Sequence, residues 1–209
     1  MKESILSPAQ QKLWEKLIGA KWLSGFYLAG GTALALQLKH RESVDFDFFS
    51  ASKFDNTLIS QALSKLAKLE ILTNATGTLH TILASVKVSF FHYPYEQLSP
   101  SINFEGMPLA ALSDIACMKL IAVSQRGTKK DFIDVYELIQ SGMNLTSQFD
   151  ALERKFSDVS YNKLSILKSL TYFVDAEGDA MPKMLKPYGW DEVKTELRAL
   201  CKKQLRIIE

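Results

Sequence analysis

Two aspartates separated by one residue are the side chains whose types and spacing could do chemistry. Asp45 and Asp47 stand in a run, 44–49, where aromatic and β-branched residues alternate with carboxylates. Residues i and i+2 of a strand project from one face, so both carboxylates converge on one point. Like charges this close repel unless a cation lies between them, and an oxygen-only site favours Mg²⁺ or Mn²⁺. The same alternation is also the ordinary pattern of a strand with one solvated face.

A glycine pair upstream of the acids could bind phosphate. Gly30 and Gly31 lie between an aromatic run that predicts a strand, 26–29, and a helix-forming segment that begins at Thr32. Glycines permit close backbone approach, the free amides of a helix N-terminus attract phosphate, and Thr32 could cap the helix. By itself, a Gly-Gly pair is more often a tight turn and nothing more.

The spacing between these two features favours the chemical interpretation. Thirteen residues separate Gly31 from Asp45, enough for a helix to cross the sheet and for the chain to return as a neighbouring strand. Backbone donors for a triphosphate would then lie beside carboxylates that hold a metal. These are the parts that phosphoryl or nucleotidyl transfer needs.

The runs 26–36 and 40–49 together resemble the signature of polymerase-β-type nucleotidyltransferases, specifically the AbiEii/AbiGii toxin branch. The pattern is G-G, nine to thirteen residues, then D-h-D-h, with an Arg-x-Ser segment before the acids that Arg41 and Ser43 match. Downstream, the segment 114–120 resembles the family's D-h-x-x-x-K-h helix, and 126–134 resembles its R-x-x-x-K-D-h-x-D motif. The resemblance covers residues from about 26 to 140.

This resemblance implies an Mg²⁺- or Mn²⁺-dependent enzyme that transfers NMP from an NTP to an RNA such as tRNA, or to a protein. It implies a toxin of a type IV toxin–antitoxin system, with a cognate antitoxin as partner. Asp45 and Asp47 would bind the metal, and Asp131 or Asp134 would orient a lysine or the acceptor, with Asp134 as a further catalytic residue. The residues expected to bind or neutralise the triphosphate are Gly30, Gly31, Thr32, Arg41, Ser43, Lys119 and Lys130.

Considered without the family, the downstream residues have ordinary alternatives. Lys119 is one cation on an apolar helix and could extend from the edge of the core to solvent. Asp131 and Asp134 could be acids that stabilise a helix N-terminus. Arg126 and Lys130 lie close together at a helix start, an unfavourable end for cations, which indicates an anionic partner.

The sequence departs from the family pattern on the strand predicted at 86–91. Polymerase-like nucleotidyltransferases usually carry a third carboxylate there, as the base toward the acceptor, and this chain has Ser89. Either the acceptor is activated otherwise, by Asp134 for example, or transfer is impaired. Two alternatives therefore stay open: a nucleotide-binding protein without turnover, and an enzyme that modifies a small antibiotic-type molecule. His80 and His92 have no acid or nucleophile at useful spacing, and we predict structural roles for both.

The elements that must position these residues predict an α+β fold. Ser7 and Pro8 open a first helix, a second follows the acidic strand over 55–69, and strands are predicted at 71–75, 78–83 and 84–91. Beyond residue 110 the periodicity is helical. We expect a nucleotidyltransferase-type mixed sheet with flanking helices in residues 1–110 and a helical lobe in 111–209, with helical windows at 112–124, 130–140, 146–156, 161–173 and 190–207.

Composition excludes several other classes of protein. The 209 residues carry a net charge of +2, so the whole chain is no polycation that coats nucleic acid. The two cysteines, Cys117 and Cys201, lie far apart with no metal-binding spacing, and no P-loop or zincin motif occurs. No run of about 18 apolar residues is present, and the first residues lack the apolar region of a signal peptide. We expect a cytoplasmic protein with no membrane partner.

Overall fold

The computed structural model describes residues 5–159 and 161–208. Residues 1–4, which belong to the segment considered above for a signal peptide, lie outside this range. The strands are β1 (Tyr27–Ala29), β2 (Asp45–Ser50), β3 (Leu69–Ala75), β4 (Thr78–Leu83), β5 (Val86–His92), β6 (Ile102–Phe104) and β7 (Met107–Leu109). The α-helices are α1 (Pro8–Leu17), α2 (Gly30–Leu38), α3 (Asn56–Ser64), α4 (Leu112–Gln125), α5 (Lys129–Gln140), α6 (Leu145–Lys155), α7 (Lys163–Ser169) and α8 (Trp190–Ile208).

All seven strands form one mixed sheet in the order β3-β4-β5-β2-β1-β7-β6. The acidic strand β2 lies near its centre, antiparallel to β1 and parallel to β5. This return of the chain after α2 is the one expected from the spacing between Gly31 and Asp45. The predicted mixed sheet with flanking helices is confirmed.

The two faces of β2 have different surroundings because side chains alternate along a strand. Phe46 and Phe48 are buried on one face, where Trp14 of α1 packs 5.9 Å from Phe46 between ring centroids. Asp45, Asp47 and Phe49 are on the other face and are only partly buried. The apolar face thus anchors the strand in the core and leaves the acidic face available for chemistry.

Local signals explain how α1 begins. The Ser7 hydroxyl accepts a hydrogen bond from the Gln10 amide, and the Gln10 side chain accepts one from the Ser7 amide. This reciprocal pair satisfies amides that have no partner within the helix, and Pro8 fits the first helical position. The helix ends at Leu17, so Trp22, expected on the same helix, lies in a separate 3-10 turn over Lys21–Leu23.

The sequence patterns missed the strands β6 and β7. Each has three residues, which is too short for a period of two to be visible, and they are joined at Glu105 and Gly106. β7 pairs in parallel with β1 and extends the sheet beyond it. The strand signals therefore end with β7 at Leu109, as the sequence indicated, although two strands before that point were not recognised.

The helices after residue 110 occupy the predicted windows, with α7 shorter than expected. A second buried apolar cluster joins α4 to α8, while Ile115, Ala116 and Leu138 belong to the cluster of the sheet. The division into units 1–110 and 111–209 stays a prediction. None of the described helices combines the length and apolarity that a membrane span requires.

Candidate active site

The start of α2 lies directly beside the acidic pair. Ala29, the last residue of β1, is opposite Asp47, and α2 begins at the next residue, Gly30. A Cβ on Gly30 would lie 3.0 Å from Asp47 Oδ2, and the φ of Gly30 is +66°. Both facts favour glycine, because a side chain would be strained and would crowd the carboxylate. The helix N-terminus and its free amides therefore approach the acids closely.

The second glycine makes room for an arginine. A Cβ on Gly31 would lie 2.5 Å from Arg41 Nη2 and 3.4 Å from Ser43 Oγ. Arg41 is buried, and its Nε and Nη2 donate to the two carboxylate oxygens of Asp134, each at 2.8 Å. The guanidinium is therefore held in a fixed orientation against the first turn of α2.

A network of charges, buried except at Arg126, extends from Arg41 into α4 and α5. Lys119 Nζ contacts Asp131 Oδ1 at 2.9 Å and Asp134 Oδ2 at 2.6 Å, and Arg126 Nε contacts Asp131 Oδ2 at 2.9 Å. Burial alone would raise the pKa of Asp134, but Arg41 and Lys119 outweigh it and hold that pKa well below its ordinary value. The pKa of Asp131 is lowered in the same way by Lys119 and Arg126. Both acids stay ionised and fix the cations beside the site.

The surroundings of Asp47 shift its pKa in the direction opposite to the shifts of Asp131 and Asp134. Burial, and then the negative charge of Asp45, raise the pKa of its carboxyl, while Lys119 and Lys87 act against that shift. An acid that is destabilised in its charged form by a second acid would gain from a cation between them.

One cavity of about 740 Å³ connects these groups. Of the residues that the sequence singled out for metal or nucleotide, those that line it are Gly30, Gly31, Arg41, Ser43, Asp45, Asp47, Lys119 and Lys130. Lys130 is exposed at its edge. The structure thus brings these residues together, and their individual roles stay predictions.

Two of the expected site residues, Thr32 and Asp134, do not line the cavity. Thr32 neither lines the cavity nor caps α2; its hydroxyl is buried and bonds to Ser43 Oγ at 2.8 Å and to the carbonyl of Asp45. Thr32 therefore holds the start of β2 against α2. Asp134 is fully buried, and both of its oxygens are occupied by Arg41, Lys119 and His40. Its contact with Lys119 fits the expectation that Asp134 orients a lysine, whereas its burial does not favour the alternative that it activates an acceptor, and its role stays a prediction.

The residues present fit a divalent metal with two protein ligands. The described residues contain no group of three or more His, Cys, Asp or Glu side chains that could hold an ion. Mg²⁺, however, is commonly bound by one or two carboxylates, with substrate phosphates and water completing the shell. Asp45 and Asp47 on one face of β2, beside a helix N-terminus, match that requirement.

Ser89 occupies the position where the missing carboxylate was expected. It lies opposite Asp47 on β5, is buried, and lines the cavity. His80 on β4 lies opposite Ser89, with Nδ1 3.0 Å from Ser89 Oγ. The strand register thus gives His80 a hydroxyl partner that its spacing in the sequence did not indicate, and the structural role expected for His80 stays a prediction. If the residues of β4 and β5 are paired outward from the turn between Leu83 and Val86, His80 and Ser89 come to lie opposite each other. The sequence could therefore have predicted this contact.

Sequence analysis also missed other parts of the cavity wall. Phe49 and Phe91 line it and stack at 4.9 Å between ring centroids. Phe49 follows Asp47 by two residues on β2, and Phe91 follows Ser89 by two residues on β5, so a period of two could have identified both. Pro182 and Lys183 also line the cavity, because the segment 183–185 hydrogen-bonds to residues 40–42. No sequence motif signals that contact.

Comparisons with known proteins agree with this geometry. Residues 12–196 match the family described as "Nucleotidyl transferase AbiEii toxin, Type IV TA system". An uncharacterized protein of Aquifex aeolicus (strain VF5) is 37% identical over 205 residues, which cover 96% of this chain and 98% of that protein.

Solved structures with a similar fold include two from bacteria whose identity to this chain is low. JHP933 from Helicobacter pylori has a TM-score of 0.58 at 20% identity, with 92% of this chain and 88% of that chain covered. MenT4, a nucleotidyltransferase toxin of Mycobacterium tuberculosis H37Rv, has a TM-score of 0.52 at 12% identity, with 85% and 75% covered. At such identities the likeness concerns the fold.

Proposed function

Because the chain belongs to the AbiEii family of nucleotidyl transferase toxins, we propose that it transfers NMP from an NTP to an acceptor in a reaction that depends on Mg²⁺. The observation that carries the proposal is the contact between the N-terminus of α2 and the acidic face of β2. Asp47 lies opposite Ala29, and Gly30 is close enough that a Cβ would meet the Asp47 carboxylate at 3.0 Å. An anion-binding helix end and a metal-binding acid pair therefore share one cavity.

The triphosphate would lie against the start of α2. The first amides of this helix have no side-chain cap, and glycines at positions 30 and 31 let a ligand approach the backbone. Arg41 and Lys119 are buried and ion-paired, so they supply fixed positive charge to the cavity wall. Lys130 is exposed at the cavity edge and can move to a phosphate.

Asp45 and Asp47 would hold the metal, which when bound neutralises phosphate charge and acts as a Lewis acid on the phosphoryl oxygens. The protein's own contribution is to hold the acids on a rigid central strand. Phe46 and Phe48 fix that strand in the core, and Thr32 holds its first residue. Catalysis of phosphoryl transfer depends mainly on such positioning together with electrostatic stabilisation.

The acceptor we propose is an RNA such as tRNA, or a protein, and the partner is a cognate antitoxin. Support comes from the family description, which names a type IV toxin–antitoxin system. The aromatic side chains of Phe49, Phe91 and Tyr93 on the cavity wall are suited to stacking against an unpaired base. We place the reaction in the cytoplasm, where NTPs and tRNA are found.

A second function is favoured by one observation. Ser89 stands opposite Asp47, and a serine can neither bind a metal as a carboxylate does nor take a proton at neutral pH. A protein that binds NTP and Mg²⁺ without turnover would keep every other feature of the cavity. Turnover therefore separates the two functions, whereas nucleotide binding does not.

The test incubates the purified chain with Mg²⁺, total cellular RNA and each α-labelled NTP in turn, and then separates the products on a gel. The Asp45→Asn/Asp47→Asn double variant is the inactive comparison. Asp150→Asn, an exposed acid on α6, is the matched control. We expect label on a tRNA-sized band with the wild-type and control proteins, and none with the double variant.

The alternative outcomes are equally informative. Label on protein bands would change the acceptor to protein. Nucleotide binding by calorimetry without transfer to RNA, protein or small hydroxylated compounds would favour the binding protein. Full transfer by the double variant would contradict the proposed metal site.

A further inference from the structure

The face of the sheet that carries the acidic pair continues over two further strands. Ser89 on β5 lies opposite Asp47, and His80 on β4 lies opposite Ser89. The three side chains therefore form a row across β2, β5 and β4, and all three line the cavity. Among the described residues on the cavity wall, His80 is the one histidine.

The order of the row favours one tautomer of His80. Ser89 lies opposite Asp47 on the neighbouring strand, and the Ser89 hydroxyl lowers the pKa of the Asp47 carboxyl against the larger effect of burial. With the single hydroxyl hydrogen directed to Asp47, Ser89 Oγ would accept from His80 Nδ1, 3.0 Å away. In the neutral ring the free lone pair is then on Nε2. An edge-to-face contact with Phe91, 5.3 Å between centroids, also holds the ring.

The row thus places His80 beside Ser89, the position that lacks the expected carboxylate. Ser89 is next to Asp47 but cannot accept a proton, whereas the imidazole of His80 can. Asp47, linked to the imidazole through Ser89, would stabilise the positive charge that the ring gains. This arrangement is comparable to a carboxylate that orients and supports a histidine base, with a serine hydroxyl between the two groups.

We propose that His80 is the general base that activates the acceptor hydroxyl, and that Ser89 links it to Asp47. The inference rests on the proposed nucleotidyl transfer. The acceptor hydroxyl gives its proton to Nε2 while its oxygen forms a bond to the α-phosphorus. The bond from the α-phosphorus to the bridging oxygen breaks, and pyrophosphate leaves with that electron pair. The imidazolium then returns the proton to solvent.

Charged groups around the ring come from each packed element. Asp45 and Asp47 of β2 and Lys87 of β5 project from the same face, Glu70 of β3 lies opposite Ile82, and the cations across the cavity are Lys119 and Arg126. Lys119 and Arg126 are ion-paired with Asp131, and the acid that lies in the same row as His80, beyond Ser89, is Asp47.

The test compares His80→Asn with the wild-type protein in the labelled-NTP and RNA assay. The asparagine amide can still donate to Ser89 as Nδ1 does, but it has no basic nitrogen. We expect kcat to fall by about 100-fold or more, the magnitude of general-base catalysis, with KM for NTP and calorimetric NTP affinity unchanged. His92→Asn, on β5 and outside the cavity wall, is the matched control and should keep full activity.

A rescue variant distinguishes a base from a structural role. Ser89→Asp in the His80→Asn background places a carboxylate opposite Asp47, where it can act as the base. We expect the double variant to recover at least about tenfold in kcat over His80→Asn, a fraction of what general-base catalysis contributes. Circular dichroism and thermal unfolding identify the folded variants to be compared.

The outcomes separate this inference from the proposed function. Full activity of folded His80→Asn beside an active wild-type protein would overturn the role of His80 alone, as would a folded double variant no faster than His80→Asn. Absence of transfer by the wild-type protein to RNA, protein and small hydroxylated compounds would instead overturn the nucleotidyl transfer on which the inference rests.

Discussion

Arg41 and Asp134 are 93 positions apart and form a two-point ion pair at the base of the cavity, with Nε to Oδ1 and Nη2 to Oδ2 both at 2.8 Å. The pair joins the segment before β2 to α5, and Lys119 of α4 contacts the same carboxylate. The pair fixes the Arg41 guanidinium against the first turn of α2, where a Cβ on Gly31 would lie 2.5 Å from Nη2.

Removal of the charge on Asp134 should destabilise the fold. Asp134→Asn leaves the buried Arg41 and Lys119 without their shared anion, and breaking a buried ion pair costs about 3–5 kcal/mol. Urea unfolding should show a loss of this size, whereas the exposed Asp150→Asn should lie within about 0.5 kcal/mol of the wild-type protein. A loss below about 1 kcal/mol, the ordinary effect of a point mutation, would show that the ion pair contributes little.

Stability should fall steeply in acid because of Asp131 and Asp134. The pKa of each is lowered in the folded protein, so each contributes stability above the unfolded-state pKa, about 3.9, that is lost as the pH falls through the folded value. Urea unfolding measured from pH 7 to pH 3 should show the decline beginning as pH 4 is approached. In Asp131→Asn the free energy of unfolding should decline less steeply with falling pH. An unchanged slope would show that Asp131 does not cause part of the loss of stability in acid.

Magnesium should stabilise the wild-type protein and not a variant without the acidic pair. Asp45 and Asp47 repel each other, and a bound cation relieves that repulsion. Mg²⁺ at 100 times its dissociation constant should add about 2.7 kcal/mol to the free energy of unfolding. Asp47→Asn should have a higher melting temperature than the wild-type protein without metal, and should gain little from Mg²⁺. An equal gain in both proteins would place the metal elsewhere.

Gly31→Ala should displace Arg41. The new Cβ would lie 2.5 Å from Nη2, and that nitrogen is held by Asp134. We expect a loss of about 1–3 kcal/mol in the free energy of unfolding, the ordinary cost of overpacking, together with weaker NTP binding in calorimetry. Gly178→Ala is the matched control, because nothing lies within 4 Å of its added Cβ. If both variants unfold like the wild-type protein, Gly31 is not needed for the close approach of Arg41.

Local patterns in the sequence predicted most of the elements and the acidic pair. A period of two identified β2 and placed Asp45 and Asp47 on one face, because the geometry of a strand depends only on neighbouring residues. The same reasoning located the helices after residue 110, whose apolar residues recur at helical spacing. The strands β6 and β7 were missed because three residues are too few to show a repeated alternation, and no aromatic run like that of β1 marks them.

Only the tertiary structure decided which side chains from distant segments of the chain contact one another. Thr32 has a type suited to a phosphate site and Asp134 a type suited to catalysis, yet packing uses both inside the protein. His80, which the sequence pattern left without a partner, acquires one from strand register. The sequence by itself determines which face of an element a residue occupies, because that follows from backbone geometry. Which partner it meets depends on the elements that burial of apolar surface brings together, and that is a property of the whole chain.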